Sequence, residues 1–164
     1  MWERLIPDAA AVGERLKARG ETLAISESSS GGLISAALLA VPGASRFYRG
    51  GGLIYTPAAF RGLMGLAKED IEGMRSSTEP YARFMAQAIR NKLRADWGLC
   101  ETGASGPGGN AYGDAAGHTC IGIVAEDVDV ASTLETGLDA RTTNMFLFAQ
   151  HALSQLQAAL DAAP

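Results

Sequence analysis

The chain has 164 residues and a formal net charge of −4, with 47% hydrophobic and 20% charged residues. This balance is typical of a globular protein, and we expect a single domain over residues 1–164. The negative charge argues against a general nucleic-acid-binding role. No apolar stretch approaches the roughly 18–20 residues that cross a bilayer. The charged amino-terminal segment lacks the apolar region of a secretory signal, so we expect a cytoplasmic protein without membrane contacts.

The first half of the chain predicts helices that alternate with strands. An amphipathic helix is expected over 7–19, where Gly20 ends it in the position that favours glycine. The elements expected next are a strand over 22–26, a buried helix over 33–41, a glycine-rich strand over 50–56, and helical segments over 57–64 and 67–74.

The second half begins with a stronger helix, from Thr78 to about Leu93, because a capping threonine and Pro80 agree on its start. Strands over 96–103, 118–125 and 129–135 and a helix over 141–160 complete the prediction. The last strand alternates apolar and polar residues, as an edge strand does. This order predicts an α/β fold, a three-layer α/β/α sandwich with a mixed, mainly parallel sheet.

Two glycine-rich loops each follow a predicted strand directly: ESSSGG over 27–32 and GASGPGG over 103–109. In such sheets, ligands bind outside the carboxyl ends of the strands. The hydroxyls of Ser28 to Ser30 and the adjacent amides could cap a helix or surround an anion. Taken alone, the stretch favours capping.

Several familiar sites are absent from the sequence. The glycine loops match neither a dinucleotide fingerprint nor a phosphate-binding P-loop, and there is no G-x-S-x-G serine elbow. Cys100 and Cys120 lie in apolar runs without ligand spacing, so we expect buried thiols and no metal. His118 follows a glycine loop and could face a site, whereas His151 is expected to be structural.

Four segments in order, SESSSGGLISAAL, VPGASRFYRGGGLIYT, STEPYARFMAQAI and TGASGPGGNAYGDAAGHTCIGI, resemble the C-terminal domain of CinA. The resemblance runs from about residue 7 to 160. Stand-alone versions of that domain are nicotinamide-nucleotide amidohydrolases, also called NMN deamidases. The resemblance therefore implies hydrolysis of the NMN carboxamide to nicotinic acid mononucleotide and ammonia, with no cofactor or metal. It is also consistent with a homo-oligomer.

The resemblance also implies roles for individual residues. Ser45 corresponds to the serine that the family uses as nucleophile, and Tyr55 to a catalytic tyrosine. We expect both to converge with the two glycine loops on one cleft. The implied substrate-binding residues are Ser28, Ser29, Ser30, Gly31, Gly32, Gly103, Ser105, Gly106 and Gly108.

One position departs from the family pattern: Phe60 stands where the family has a lysine that can take the serine proton. The adjacent Arg61 cannot replace it, because a guanidinium stays protonated. His118 and Tyr55 are the local candidates for a substitute base. Two alternatives to an active amidohydrolase follow, a relative that binds a nucleotide or phosphorylated ligand without efficient turnover and, with less support, a protein-interaction module acting through the edge strand at 129–135.

Overall fold

A computed structural model describes all residues from 1 to 164. Ten helices and strands form the fold, joined by short 3-10 turns that include Ala44–Arg46. In chain order they are α1 (Ile6–Arg19), β1 (Leu23–Glu27), α2 (Leu33–Leu39), β2 (Tyr48–Leu53), α3 (Pro57–Met64), α4 (Glu79–Leu93), β3 (Trp97–Ala104), β4 (His118–Ala125), β5 (Val128–Glu135) and α5 (Arg141–Ala162). None of the helices combines the length and the apolar character that a membrane span requires.

The five strands form one mixed sheet in the order β2-β1-β3-β4-β5. β1 is parallel to both β2 and β3, whereas β4 is antiparallel to both of its neighbours. Four strands therefore point the same way. We call the side where these four strands finish the carboxyl end of the sheet, and the opposite side the amino end.

Helices cover both faces of the sheet, so the predicted three-layer α/β/α architecture is confirmed. Strand side chains alternate between the two faces. In β1, Leu23 and Ile25 pack among α1, α2 and α5, whereas Ala24 belongs to a second cluster with α3 and α4. Cys100 and Cys120 are buried free thiols in that second cluster, as expected.

Two predicted elements differ from the structure. The second strand begins at Tyr48 and ends at Leu53, so Tyr55 lies beyond it. The helix expected over 67–74 is wrong, since only a 3-10 turn forms at Lys68–Ile71. Glycines with left-handed backbone, Gly65 at φ 67° and Gly73 at φ 80°, stand on either side of that turn and end helical geometry there.

Helix α4 lies close to the sheet because glycines of β3 and β4 face it. A Cβ on Gly122 would lie 2.4 Å from the carbonyl carbon of Ala82, and one on Gly98 would lie 2.1 Å from the carbonyl oxygen of Ala86. Both contacts would be with the backbone of α4, which cannot move away by a change of rotamer as a side chain can. Glycine at these strand positions therefore sets the distance between the two layers.

We expect Gly122→Ala to lower the free energy of unfolding by about 1–3 kcal/mol, because overpacking forces α4 away from β4. The matched control is Gly62→Ala on α3, where nothing lies within 4 Å of the added Cβ. That change should stabilise the protein by about 0.5–1 kcal/mol through helix propensity. Urea unfolding of both variants measures the difference, and equal effects would contradict this account of the packing.

Candidate active site at the carboxyl end of the sheet

The first glycine-rich turn is built around a buried carboxylate that comes from another strand. Glu101, in the middle of β3, is fully buried. Its Oε2 accepts hydrogen bonds from the amides of Ser28 and Ser30, at 3.1 and 2.9 Å. The Oε1 atom accepts from the hydroxyls of Ser29 and Thr119. Glu101 thus holds the turn between Glu27 and Gly31 against the sheet.

A second buried carboxylate, that of Glu27, caps helix α2. Its Oε1 accepts from the amides of Gly32 and Ile34, and its Oε2 accepts from the amide and hydroxyl of Ser35. The hydroxyl of Ser30 lies 2.7 Å from Glu27 and 2.8 Å from Glu101, so it bridges the two acids. Negative charge at this position favours the helix, because the first-turn amides need acceptors.

The capping interpretation of the serine-glycine turn is therefore the better one, although carboxylates provide the caps. The amides of Ser28, Ser30 and Gly32 already donate within the chain, so they do not favour the alternative in which the turn surrounds an external anion. Ser29 and Ser30 are themselves buried. Of this turn, only Gly31 is exposed, with Ser28 and Gly32 half-buried at the surface.

The second glycine loop also has an internal structural role. A Cβ on Gly103 would lie 2.3 Å from the carbonyl oxygen of His118, so this glycine allows β3 and β4 to pair closely. Ser105 is buried, and its carbonyl accepts from Nδ2 of Asn144 on α5 at 2.9 Å. Gly106 is buried as well, whereas Gly108 is exposed. No motif around Asn144 indicated that this residue holds the loop in place.

One arginine side chain links Tyr55 to the second glycine loop at the carboxyl end of the sheet. Arg141, the first residue of α5, donates from Nη1 to the carbonyl of Gly106 at 2.6 Å and from Nη2 to the hydroxyl of Tyr55 at 3.2 Å. Tyr55 is 59% exposed and Arg141 is also exposed. A guanidinium has five N–H donors, so donors remain for a ligand. Arg141 was missed by sequence reasoning, because nothing in its neighbours marks it as a site residue.

Ser45 lies at the opposite end of the sheet from Tyr55 and Arg141. It is exposed in the 3-10 turn before β2, at the amino end of the sheet, where the Leu23 amide donates to the carbonyl of Phe47. Tyr55 follows the opposite end of the same strand, whose Leu53 pairs with Glu27. Six extended residues separate the two ends by roughly 20 Å. The expected convergence of Ser45 with Tyr55 and the glycine loops in one cleft of one chain is therefore wrong.

The structure also shows the surroundings of Phe60, which stands at the family's lysine position, and of His118, a candidate for the substitute base. Phe60 is buried in the cluster between α3, α4 and the sheet. His118 is held at both ring nitrogens, by the carboxylate of Glu135 at Nδ1 and by the carbonyl of Ser77 at Nε2, 2.8 Å away. Both partners are acceptors, so the protonated ring donates from both nitrogens and has no lone pair to take a further proton. His118 is not a substitute base.

The same contacts change the titration of His118. Burial by itself would lower the pKa of this histidine, but the hydrogen bonds to Glu135 and to the Ser77 carbonyl and the nearby Asp114 charge outweigh it. The pKa is therefore raised above its ordinary value of 6.5. Asp114 is in turn paired with Arg75 by two hydrogen bonds, which lower the pKa of that carboxyl to about 2.

A mixed sheet with helices on both faces defines an α/β domain, a class in which ligands commonly bind outside the carboxyl ends of the strands. Comparison with protein families makes the assignment specific. The model of the CinA C-terminal domain matches residues 7–160. The chain belongs to this family.

Individual relatives agree with the family assignment. The chain is 44% identical over 101 residues to a CinA-like protein of Gloeobacter violaceus, covering 62% of this chain and 24% of that protein. It is 32% identical over 149 residues to a CinA-like protein of Gloeothece citriformis, covering 89% of this chain and 36% of the relative. The chain therefore spans only about a quarter to a third of the length of these curated relatives.

Solved structures confirm the fold. A competence or damage-inducible protein from Enterobacter asburiae superposes with a TM-score of 0.85 at 26% identity, covering 93% of this chain and 96% of that one. The competence/damage-inducible protein CihA from Agrobacterium tumefaciens gives a TM-score of 0.81 at 26% identity, covering 94% and 96%.

The raised pKa of His118 predicts a pH-dependent contribution to stability. Because the folded-state pKa lies above the unfolded value of 6.5, the contribution is fully present below that value and is lost as pH rises through the folded pKa. We therefore expect the difference in unfolding free energy between the unaltered protein and His118→Gln to be larger at pH 5.5 than at pH 8.5. Urea unfolding at both pH values measures this difference in unfolding free energy, with His151→Gln as the control. A difference that grows with pH would contradict a raised pKa of His118.

Proposed function

We propose that the protein is an amidohydrolase of the CinA type, which hydrolyses the carboxamide of a nicotinamide mononucleotide. The observation that carries the proposal is Arg141, an exposed cation held at the carboxyl end of the sheet by Tyr55 and Gly106. An oriented guanidinium recognises phosphate well, through paired N–H donors. A mononucleotide offers one phosphate group to such a site. Membership of the CinA C-terminal domain family supports the same choice of ligand class and reaction.

In the proposed reaction, the hydroxyl oxygen of Ser45 attacks the carboxamide carbon. A carbon–oxygen bond forms as the carbon–nitrogen bond breaks, and the departing nitrogen takes up the serine proton to leave as ammonia. Water then cleaves the resulting ester and restores Ser45. Since Ser45 and Tyr55 lie roughly 20 Å apart within one chain, the Tyr55 that is proposed to carry the proton between the serine and the leaving nitrogen belongs to a second copy of the chain, in line with the homo-oligomer that the resemblance implies. Without a lysine at position 60, turnover is expected to be slow.

We expect the purified protein to release ammonia from NMN and Ser45→Ala to lower kcat by at least about 100-fold, since the covalent step is lost. Arg141→Gln should instead raise KM about 10-fold, because a charged phosphate contact is removed. Arg83→Gln, on the outer face of α4, is the matched control for removing an exposed arginine. Equal activity in Ser45→Ala and the unaltered protein would reject the proposed nucleophile.

A second candidate, a relative that binds a nucleotide without efficient turnover, is favoured by one specific observation. Phe60 is buried among apolar side chains, and both nitrogens of His118 are engaged, so neither position offers a base. Under this alternative, calorimetry with NMN shows binding with the same dependence on Arg141, but no ammonia is formed. Absence of binding would remove both candidates.

The burial of Phe60 makes a further prediction. Phe60→Lys should lower the free energy of unfolding by about 1–3 kcal/mol, because an ammonium group would enter an apolar cluster. It should not raise ammonia release, since the position faces the core rather than Ser45 or Tyr55. Urea unfolding and the ammonia assay measure both effects, with Phe60→Leu as the apolar control. A strong rise in hydrolysis would show that this side chain reaches the site.

A further inference from the structure

A serine and a histidine form a hydrogen-bonded pair at the edge of the sheet that lies opposite β2. The Oγ atom of Ser132, in the middle of β5, lies 3.0 Å from Nε2 of His151, in the middle of α5. Four strand spacings, roughly 19 Å, separate β5 from β2, the strand that Ser45 and Tyr55 flank. The proposed hydrolysis of NMN therefore uses neither member of this pair.

His151, which the sequence predicts to be structural, can accept a proton from the serine. Burial lowers the pKa of His151 below its ordinary value of 6.5, and burial is the only cause of the shift. The imidazole is therefore neutral at pH 7, and one of its nitrogens has a free lone pair. When Nδ1 carries the ring proton, the hydroxyl of Ser132 donates to Nε2, which is the arrangement of a nucleophile with its base.

The pair lies where a ligand can reach it, because both side chains are half-buried rather than enclosed. Ser132 pairs with Ile121 of β4, so its side chain lies on the face of the sheet that α5 covers. Val130 and Leu134, two positions before and after the serine, share that face, and Val130 is 44% exposed. An apolar group can therefore lie against Val130 while a carbonyl carbon is beside the serine.

The backbone of β5 offers a donor for the oxygen of that carbonyl. The amide of Thr136 donates to the carbonyl of Gly117 at 3.0 Å, and bonded pairs in an antiparallel ladder recur at every second residue. The backbone of Ser132 therefore bonds to β4, whereas the amide of Thr133 points away from the sheet, at an edge with no further strand. An amide directly after the nucleophile is a common donor to the negative oxygen that forms during acyl transfer.

The two elements that carry the pair have no charged side chain on the face that they share. Between residues 142 and 160, α5 contains no aspartate, glutamate, lysine or arginine. Asp129 and Glu135, the charged residues of β5, alternate with Ser132 and lie on the other face of the strand. A charged substrate would lose hydration here without gaining a partner, so uncharged ligands are favoured. We infer that Ser132 and His151 form a second catalytic site, which hydrolyses small uncharged esters through an acyl-serine intermediate.

In this reaction, Oγ of Ser132 bonds to the ester carbonyl carbon as its proton passes to Nε2 of His151. The bond from that carbon to the alcohol oxygen then breaks, and the alcohol leaves with the proton. Water, deprotonated by His151, cleaves the acyl-serine, which releases the carboxylic acid and restores the hydroxyl. No carboxylate holds the other nitrogen of His151. Disabling that carboxylate in a catalytic triad lowers kcat by about 10⁴-fold, so only activated esters and reactive phosphonates should react fast.

Labelling with diisopropyl fluorophosphate, an uncharged reagent that loses fluoride to a serine oxygen, tests the site independently of NMN. The parent protein carries Ser45→Ala, so that the proposed amidohydrolase nucleophile is absent, and peptide mass spectrometry locates the labelled serine. We expect an adduct on Ser132. Adding His151→Gln should slow its formation at least about 100-fold, because general-base catalysis is lost. Adding Ser154→Ala, which removes an exposed serine of α5, should leave the labelling rate unchanged.

Hydrolysis of p-nitrophenyl acetate gives a second measurement on the same parent protein. Both Ser132→Ala and His151→Gln should lower kcat/KM at least about 100-fold, and the double variant should be no worse than either, because the two residues act as a unit. Urea unfolding checks that the variants fold, and the labelling of Ser132 itself needs no variant of the pair. No adduct on Ser132, or an adduct that forms equally fast in His151→Gln, would overturn the inference.

Discussion

Two buried carboxylates, Glu27 and Glu101, determine how the first glycine-rich turn is arranged. A turn that leaves a strand and enters a helix exposes several amides, and each needs an acceptor when water is excluded. Here acid side chains provide the acceptors, and the Ser30 hydroxyl connects them. The first turn of α2 therefore depends on this internal network for its acceptors.

This arrangement changes what the serine-rich turn can do. A loop whose amides donate to buried carboxylates within the protein is rigid and contributes little to binding an anion from solution. Under the proposed function, recognition of the phosphate is left to side chains at the surface, of which Arg141 is fixed by two contacts with other segments. The rigid network and the exposed arginine thus have separate roles in the proposal: the network holds the turn in place, and the arginine binds the ligand.

Local pattern was enough to predict most of the fold. The amphipathic spacing of α1, the cap and proline at the start of α4 and the alternation in β5 are all short-range signals, and each led to the right element. The helix expected over 67–74 was wrong, because only a 3-10 turn forms at Lys68–Ile71 and Gly73 then takes a left-handed backbone at φ 80°. The site was predicted less well, because its contacts are distant in sequence: Glu101 lies 71 residues from Ser30 and Arg141 lies 86 residues from Tyr55. A carboxylate in the middle of an apolar strand, as at Glu101, was the one available signal for the network.

Hydrogen exchange of individual amides tests the central role of the buried carboxylates most directly. The amides of Ser28 and Ser30 lie in a turn, yet they should exchange as slowly as those of the neighbouring strand β1, because Glu101 holds them. In Glu101→Gln the same two amides should exchange much faster, while those of α5 stay protected. Rapid exchange of both amides in the unaltered protein, at the rate of the exposed loop at Gly108 and Gly109, would contradict the account.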